Sequence, residues 1–99
     1  MFYTIYYINL KNINFKELLD KLHKIGFPDS YLNDFAFCPY LIIHKDFKDN
    51  KTPVYENINE GYLKSIKSKC ILVESFDIDD FINNAYKLLD NHLNTNTLF

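Results

Sequence analysis

The first strand of this chain sets the tightest limit on its fold. Residues 2–10 are rich in tyrosine and isoleucine, as β-strands are, and have few polar side chains. Side chains alternate between the two faces of a strand, and both faces here are mainly apolar or aromatic. Phe2, Thr4, Tyr6, Ile8 and Leu10 share one face, and Tyr3, Ile5, Tyr7 and Asn9 share the other. The pattern therefore predicts an interior strand of a sheet.

An amphipathic segment after this strand predicts a first helix over residues 14–25. Asn14 and Glu17 have the spacing of a capping box, in which each side chain accepts from the backbone N–H of the other residue. Gly26 follows as a stop signal, because glycine readily adopts the left-handed conformation of a helix C-cap. The apolar stripe predicts the face that packs on the sheet. It consists of Phe15, Leu18, Leu19, Leu22 and Ile25.

A longer helix is predicted over residues 78–93, with Asp77 as its N-cap. Its apolar positions repeat at helical spacing and predict one buried face. That face consists of Ile78, Phe81, Ile82, Ala85, Leu88, Leu89 and either His92 or Leu93, whereas Asn83, Asn84 and Lys87 fall on the outer face.

The remaining segments are less regular. Residues 37–44 and 70–76 predict two further strands, and residues 29–35 predict a helical turn. In residues 54–69, Asn57 and Glu60 have the spacing of another capping box before a helical stripe, and the sequence also allows a short strand over 54–56. Residues 94–99 are expected to form a tail or a short last strand.

This order of elements predicts one α+β domain over residues 1–99. We expect a ferredoxin-like sandwich, with helices on one face of a mixed three- to four-stranded sheet. The alternative is a small three-layer α/β domain with a parallel sheet. A chain of this length can bury enough surface to fold without disulfides or metals.

Charge and composition narrow the range of partners. The chain contains no arginine, the residue best suited to bidentate binding of phosphate, and its lysines are scattered, which disfavours nucleic acid. The surplus of Asn, Ile, Lys, Tyr and Phe is what an AT-rich genome encodes. The sequence shows no signal-peptide pattern and no apolar stretch of about 20 residues. We therefore expect a cytoplasmic protein with no membrane partner and with Cys38 and Cys70 reduced.

No set of side chains in the sequence is arranged for catalysis. Cys38 and His44 would lie about 20 Å apart on one extended strand, too far for a nucleophile and its base. Asp77, Asp79 and Asp80 fit an N-cap followed by a favourably acidic first turn. The chain has only two glycines and no closely spaced Cys or His pair, which disfavours a phosphate-binding loop or a zinc site. We expect a protein that is not an enzyme and needs no metal or other cofactor.

The first strand also resembles a known motif. Residues 5–10, Ile-Tyr-Tyr-Ile-Asn-Leu, resemble the first-strand motif of RNA-recognition-motif domains, and the first helix follows at a similar distance. The resemblance implies a ferredoxin-like βαββαβ fold and stacking of an RNA base on Tyr6. Residues 68–74, which match the third strand of that family, lack its aromatic residues at the stacking positions. A degenerate RNA-binding domain of this kind is an alternative function.

The sequence favours a protein that works by contact. Its aromatic content of 17% is high, and tyrosine is enriched at interface hot spots. With the AT-rich composition and mild acidity, this predicts a phage or mobile-element inhibitor that occludes a host defence effector, as anti-CRISPR proteins do. A toxin immunity protein and a small enzyme assembled at an oligomer interface are alternatives, and homodimerisation is a further option. We expect binding in the irregular middle of the chain, through Asp46, Asp49, Glu56, Glu60 and Tyr62.

Overall fold

In the part of the chain that the structure describes, four strands form one mixed sheet and three helices pack on it. The computed structural model describes residues 3–45 and 51–97, with side chains over residues 4–45 and 51–89. Along the chain the elements are β1 (Tyr3–Asn9), α1 (Phe15–Ile25), β2 (Tyr40–Lys45), β3 (Pro53–Ile58), α2 (Glu60–Ile66), β4 (Cys70–Glu74) and α3 (Ile78–Thr97). The strand order is β3-β2-β1-β4, so β1 is the interior strand that its two apolar faces predict.

The pairing directions follow from the path of the chain. β1 is antiparallel to β2, which is antiparallel to β3, and β1 is parallel to β4. α1 leads away from the carboxyl end of β1, and residues 26–39 bring the chain back to that end, where the Leu10 N–H donates to the Pro39 carbonyl at 2.7 Å. β2 therefore runs opposite to β1. The predicted mixed sheet is confirmed, and the alternative of an all-parallel sheet is wrong.

The strand order differs from the ferredoxin-like arrangement. That arrangement is a split βαβ unit, in which another strand lies between the two strands that a helix connects. In this chain β1 and β2 are direct neighbours on either side of α1, with Tyr6 opposite Ile43. What the structure has is a small α+β domain with a four-stranded mixed sheet and three helices.

The helices cover both faces of the sheet, so the prediction of helices on one face is wrong. α1 and α3 contribute Leu18, Leu22, Phe81 and Ala85 to a core with Ile8, Leu41, Ile43 and Tyr55. Leu63 of α2 packs on the opposite face with Ile5, Ile42 and Ile58. The reason is topological: β3 and β4 lie at opposite edges, so the chain between them crosses the sheet and α2 covers the face that α1 and α3 leave open. The layering is that of the three-layer alternative.

The predicted caps of the two long helices are confirmed. Asn14 Oδ1 accepts from the Glu17 N–H at 3.2 Å, and α1 ends at Gly26 with φ of 114°, a conformation that favours glycine. Asp77 Oδ1 accepts from the Asp80 N–H at 2.8 Å at the start of α3.

Several boundaries differ from those that the sequence predicts. Residues 29–34 have no helical turn, and a turn occurs only at residues 35–37, so β2 begins at Tyr40 rather than at residue 37. α3 continues through Thr97, where a tail or strand was expected, and residues 98–99 lie outside the described part of the chain. Asn84 is buried rather than outward-facing, because its Nδ2 donates to Ser75 Oγ at 2.8 Å.

Asn57 is a strand residue and not a helix cap. The cap of α2 is Asn59, whose Oδ1 accepts from the Tyr62 N–H at 2.7 Å. Asn57 lies in β3 with 1% of its surface exposed. Its Oδ1 accepts from the Asn33 N–H at 2.7 Å, and its Nδ2 donates to the carbonyls of Asn33 and Cys38 at 2.8 and 3.0 Å. A single amide thus fixes the segment of residues 26–39 against the sheet edge.

Substitution Asn57→Ala tests this anchor. It leaves one backbone N–H and two carbonyls without their partners, and each such loss in a buried setting costs about 1–3 kcal/mol. Since the loop groups are only partly buried, we expect the free energy of unfolding to fall by about 2–3 kcal/mol, measured by urea denaturation. The control is Asn83→Ala on the exposed face of α3, where we expect a change within about 0.5 kcal/mol. Equal effects for the two variants would contradict the anchoring role.

Candidate protein-interaction surface

Exposed aromatic side chains occur in the segments that reach the end of the sheet where the parallel strands β1 and β4 finish. Phe76 follows β4 and is 85% exposed, and Phe37 lies in the turn before β2 and is 75% exposed. Phe35 borders the same end and packs edge-on against Phe15, with ring centroids 4.2 Å apart. We call this region the carboxyl-end surface and define it by Lys11, Phe35, Phe37, Glu74 and Phe76.

The turn that presents Phe37 is fixed by Asp34. The N–H groups of Phe37 and Cys38 donate to the Asp34 carbonyl at 3.1 and 2.9 Å. The Ala36 N–H donates to Asp34 Oδ1 at 2.9 Å. Because Asn57 binds the chain on both sides of this turn, the Phe37 ring is exposed on an ordered backbone. A ring held in this way loses little conformational entropy when a partner covers it.

The backbone at Phe76 is fixed by hydrogen bonds, like that at Phe37. The Phe76 side chain, however, lacks the packing that is usual at the start of a helix. An apolar residue directly before an N-cap often packs against the fourth residue of the helix, which in α3 is Phe81. Phe81 is buried in the core, whereas Phe76 faces solvent. The Phe76 N–H donates to Asp80 Oδ2 at 2.9 Å, and the Ser75 hydroxyl binds Asn84. Hydrogen bonds therefore fix the backbone at Phe76, whereas its ring faces solvent and is not part of the buried core.

Two open depressions lie on either side of the β1–α1 connection at this end. One has a volume of about 330 Å³ and is lined by Leu10, Lys11, Ile13, Phe15, Phe35 and Pro39. The other, of about 310 Å³, extends from Asn9 and Lys11 to Glu74 and Phe76. Lys11 and Ile13 border both. Their walls combine apolar rings with single charges of each sign, a pattern suited to side chains of another protein.

One polar cluster of the kind that catalysis uses lies elsewhere and has a structural explanation. His23 Nε2 is 2.9 Å from the Tyr55 hydroxyl and 2.9 Å from Asp29 Oδ1. The Tyr55 ring is 2% exposed and belongs to the core under α1. The cluster joins the last turn of α1, β3 and the start of the 26–39 segment, so these groups hold the edge of the fold together.

The acidic residues at the start of α3 are also occupied by local bonds. Asp77 and Asp80 cap the helix and its preceding residue, as described above. Asp79 Oδ1 accepts from Lys21 Nζ at 3.3 Å, and this hydrogen bond raises the pKa of the Lys21 ammonium. Within the described ranges, no three His, Cys, Asp or Glu side chains converge in a way that could hold a metal ion.

The surface predicted from the sequence is only partly described. Asp46 and Asp49 lie outside the described residues. Glu56 is exposed on β3, with its Oε1 4.0 Å from His44 Nε2. Glu60 pairs with Lys64 of its own helix at 3.6 Å, and Tyr62 is exposed in the first turn of α2. Glu56, Glu60 and Tyr62 thus belong to β3 and α2, and their role in binding stays a prediction.

Tyr6, the residue proposed to stack on RNA, does not lie on an open sheet. Its side chain is partly buried and packs against the core beneath α1 and α3. Base stacking requires an accessible ring face. This placement therefore disfavours the RNA-binding alternative in the form that the sequence suggested.

Sequence reasoning assigned Phe37 and Phe76 to strands and so missed their exposure. For Phe76 the local sequence indicated packing rather than exposure, because an apolar residue directly before an N-cap such as Asp77 often packs against the fourth helix residue. For Phe37 the local sequence held no signal of exposure, since the turn depends on a distant contact with Asn57.

Comparisons of this chain with models of protein families, with curated proteins and with solved structures found no match. Among the described residues, no helix combines the length and the apolar character that crossing a bilayer requires. The function must therefore be argued from the surface itself.

Two tyrosines, one buried and one partly buried, predict how stability depends on pH. Burial raises the pKa of the Tyr55 hydroxyl above its ordinary value of 10.0, and burial together with Glu74 does the same for Tyr7. The unfolded chain then loses these protons at lower pH than the folded protein, so their contribution is complete below about pH 10 and is lost as pH rises above it.

We expect the melting temperature to fall between about pH 10 and 12, and Tyr55→Phe to make that fall less steep. Tyr31→Phe is the matched control, since Tyr31 is 89% exposed. An unchanged slope in the Tyr55→Phe variant would contradict the assignment.

Proposed function

We propose that this chain is a non-enzymatic protein-binding module whose partner docks on the carboxyl-end surface. The observation that carries the proposal is the pair of phenylalanines, Phe37 and Phe76, exposed at one end of the sheet on backbone that hydrogen bonds hold in place. Large rings that are exposed, ordered and unused by the core are typical anchors of protein interfaces.

The charges around these rings support a protein partner rather than a phosphate-rich one. Lys11 and Glu74 provide one charge of each sign near the rings. Nucleic acid would favour a basic surface, because counterion release by lysine and arginine supplies most of its binding energy. A mixed, mainly aromatic surface suits a protein with an apolar centre and a polar rim.

The narrower proposal is that the partner is a host defence effector and that the chain, encoded by a phage or mobile element, inhibits it by occlusion. Composition alone supports this step: an AT-rich codon imprint, a net charge of −2 and a small single domain. A toxin immunity protein has the same features and is the alternative within the same class.

Affinity capture from a lysate of the native host tests the proposal. The tagged wild-type chain, a Phe37→Asp/Phe76→Asp variant and a Tyr31→Asp control are compared, with captured proteins identified by mass spectrometry. Since interface anchors commonly contribute 2 kcal/mol or more, we expect the double variant to lose the partner by about tenfold or more, while the control retains it. Nuclease treatment of the lysate should leave capture unchanged.

A fourth protein carrying Glu56→Lys, Glu60→Lys and Tyr62→Ala separates the two candidate surfaces. Loss of capture in this protein but not in the double phenylalanine variant would place the interface on β3 and α2 and refute the carboxyl-end surface. If the wild-type chain captured no protein above a tag-only control, or captured one only through RNA, the proposed function would be wrong.

A further inference from the structure

The outer edge of β4 is unpaired. β4 is the last strand in the sheet order, with β1 on one side and no strand of the described chain on the other. The Ser75 N–H donates to the Tyr7 carbonyl, so the backbone N–H and C=O groups of Ser75 point toward β1. Backbone groups alternate along a strand, and those of Cys70, Leu72 and Glu74 must therefore point outward.

This open edge has defined ends. Residues 67–69 form a turn, so the strand begins at Cys70. The Phe76 N–H, the next outward donor after Glu74, is taken by the Asp80 carboxylate. Three outward-facing residues thus remain available for a neighbouring strand.

The two edge strands of the sheet differ in how well they are protected against pairing with a further strand. The β3 edge begins with Pro53, which has no N–H to donate, and the Asn57 carbonyl accepts from Asn33 Nδ2 at 3.4 Å. Proline and a covering segment are common protections against strand addition. Within the described part of the chain β4 has neither, and its second residue, Ile71, is 51% exposed. An apolar, uncovered edge of this kind pairs readily with another strand.

We propose that this edge binds a second copy of the chain, with two β4 strands pairing antiparallel about a two-fold axis to form a continuous eight-stranded sheet. In the register that uses the whole edge, Leu72 lies opposite Leu72 of the second copy, and Cys70 lies opposite Glu74 of the second copy. The backbone N–H and C=O groups of all these residues point away from β1, so these residues form the hydrogen-bonded pairs of the new ladder. Two bonds for each of three pairs give about six new backbone bonds.

The side chains fit the same register. Ile71 lies opposite Val73 of the second copy, in a pair whose Cα atoms are about 4.5 Å apart. Both side chains are β-branched and both face the side of the sheet that α1 and α3 cover. Such pairs stabilise adjacent strands, and the contact would bury the exposed Ile71.

The charges at the two ends of β4 favour antiparallel pairing with a second copy of the same strand. Lys67 and Lys69 precede the strand, whereas Glu74 ends it and Asp77 follows. Antiparallel pairing brings the basic end of one copy beside the acidic end of the other. Parallel pairing would bring like charges together.

Light scattering coupled to size exclusion tests the association. We expect a dimer for the wild-type chain and an increase of about tenfold or more in the dissociation constant for Ile71→Lys, which removes two cross-strand pairs. Tyr31→Lys introduces the same charge beside the opposite edge and should leave the dimer intact. Circular dichroism confirms that both variants fold. A wild-type chain that stays monomeric at its highest soluble concentration refutes the proposal.

Disulfide trapping tests the register. In a Cys38→Ser/Cys70→Ser background, an Ile71→Cys protein and a Val73→Cys protein are oxidised separately and after mixing. The predicted Cα separation lies within the range that a disulfide spans. We expect a cross-linked dimer only in the mixture. Equal cross-linking of either protein alone would show a different register and overturn the proposed pairing.

Discussion

The side chain of Asn57 is the constraint on which the rest of this structure depends. α1 ends far from the carboxyl end of β1, and the chain must run back to that end before β2 can start. The connecting residues form no helix or strand that would hold them, so their backbone groups need partners from outside. One buried amide supplies three of these bonds and fixes the segment beside β3. That attachment brings β2 beside β1 in the antiparallel direction. It also fixes the turn that exposes Phe37.

The sequence predicted the elements that depend on local chemistry. The caps at Asn14 and Asp77, the stop at Gly26 and the interior position of β1 depend on side chains a few residues apart, and the structure has all of them. Layering and strand order were predicted less well, because they depend on which edge a strand reaches. An amphipathic stripe identifies the side of a helix that is buried but not the face of the sheet that buries it.

Asn57 shows why the candidate surface was harder to predict. Asparagine before a helical pattern is usually a cap, and the spacing from Asn57 to Glu60 matched a capping box. The pairing of β3 with β2 extends through Asn57 and overrode that local preference, and Asn59 took the capping role. Once Asn57 turned inward, the preceding loop was drawn to the sheet edge with its rings outward. Exposure at Phe37 is thus decided by a contact 20 residues away along the chain, for which no local pattern exists.

The parallel pairing of β1 with β4 also orders events during synthesis. Of the four strands β1 is made first and β4 last, so one edge of β1 stays unpaired until residue 74 has left the ribosome. Until then the backbone N–H and C=O groups of β1 that face β4 can bond only to water, and pairing over so long a loop is slow. A nascent chain of this protein would therefore complete its native sheet late, when β4 arrives beside β1.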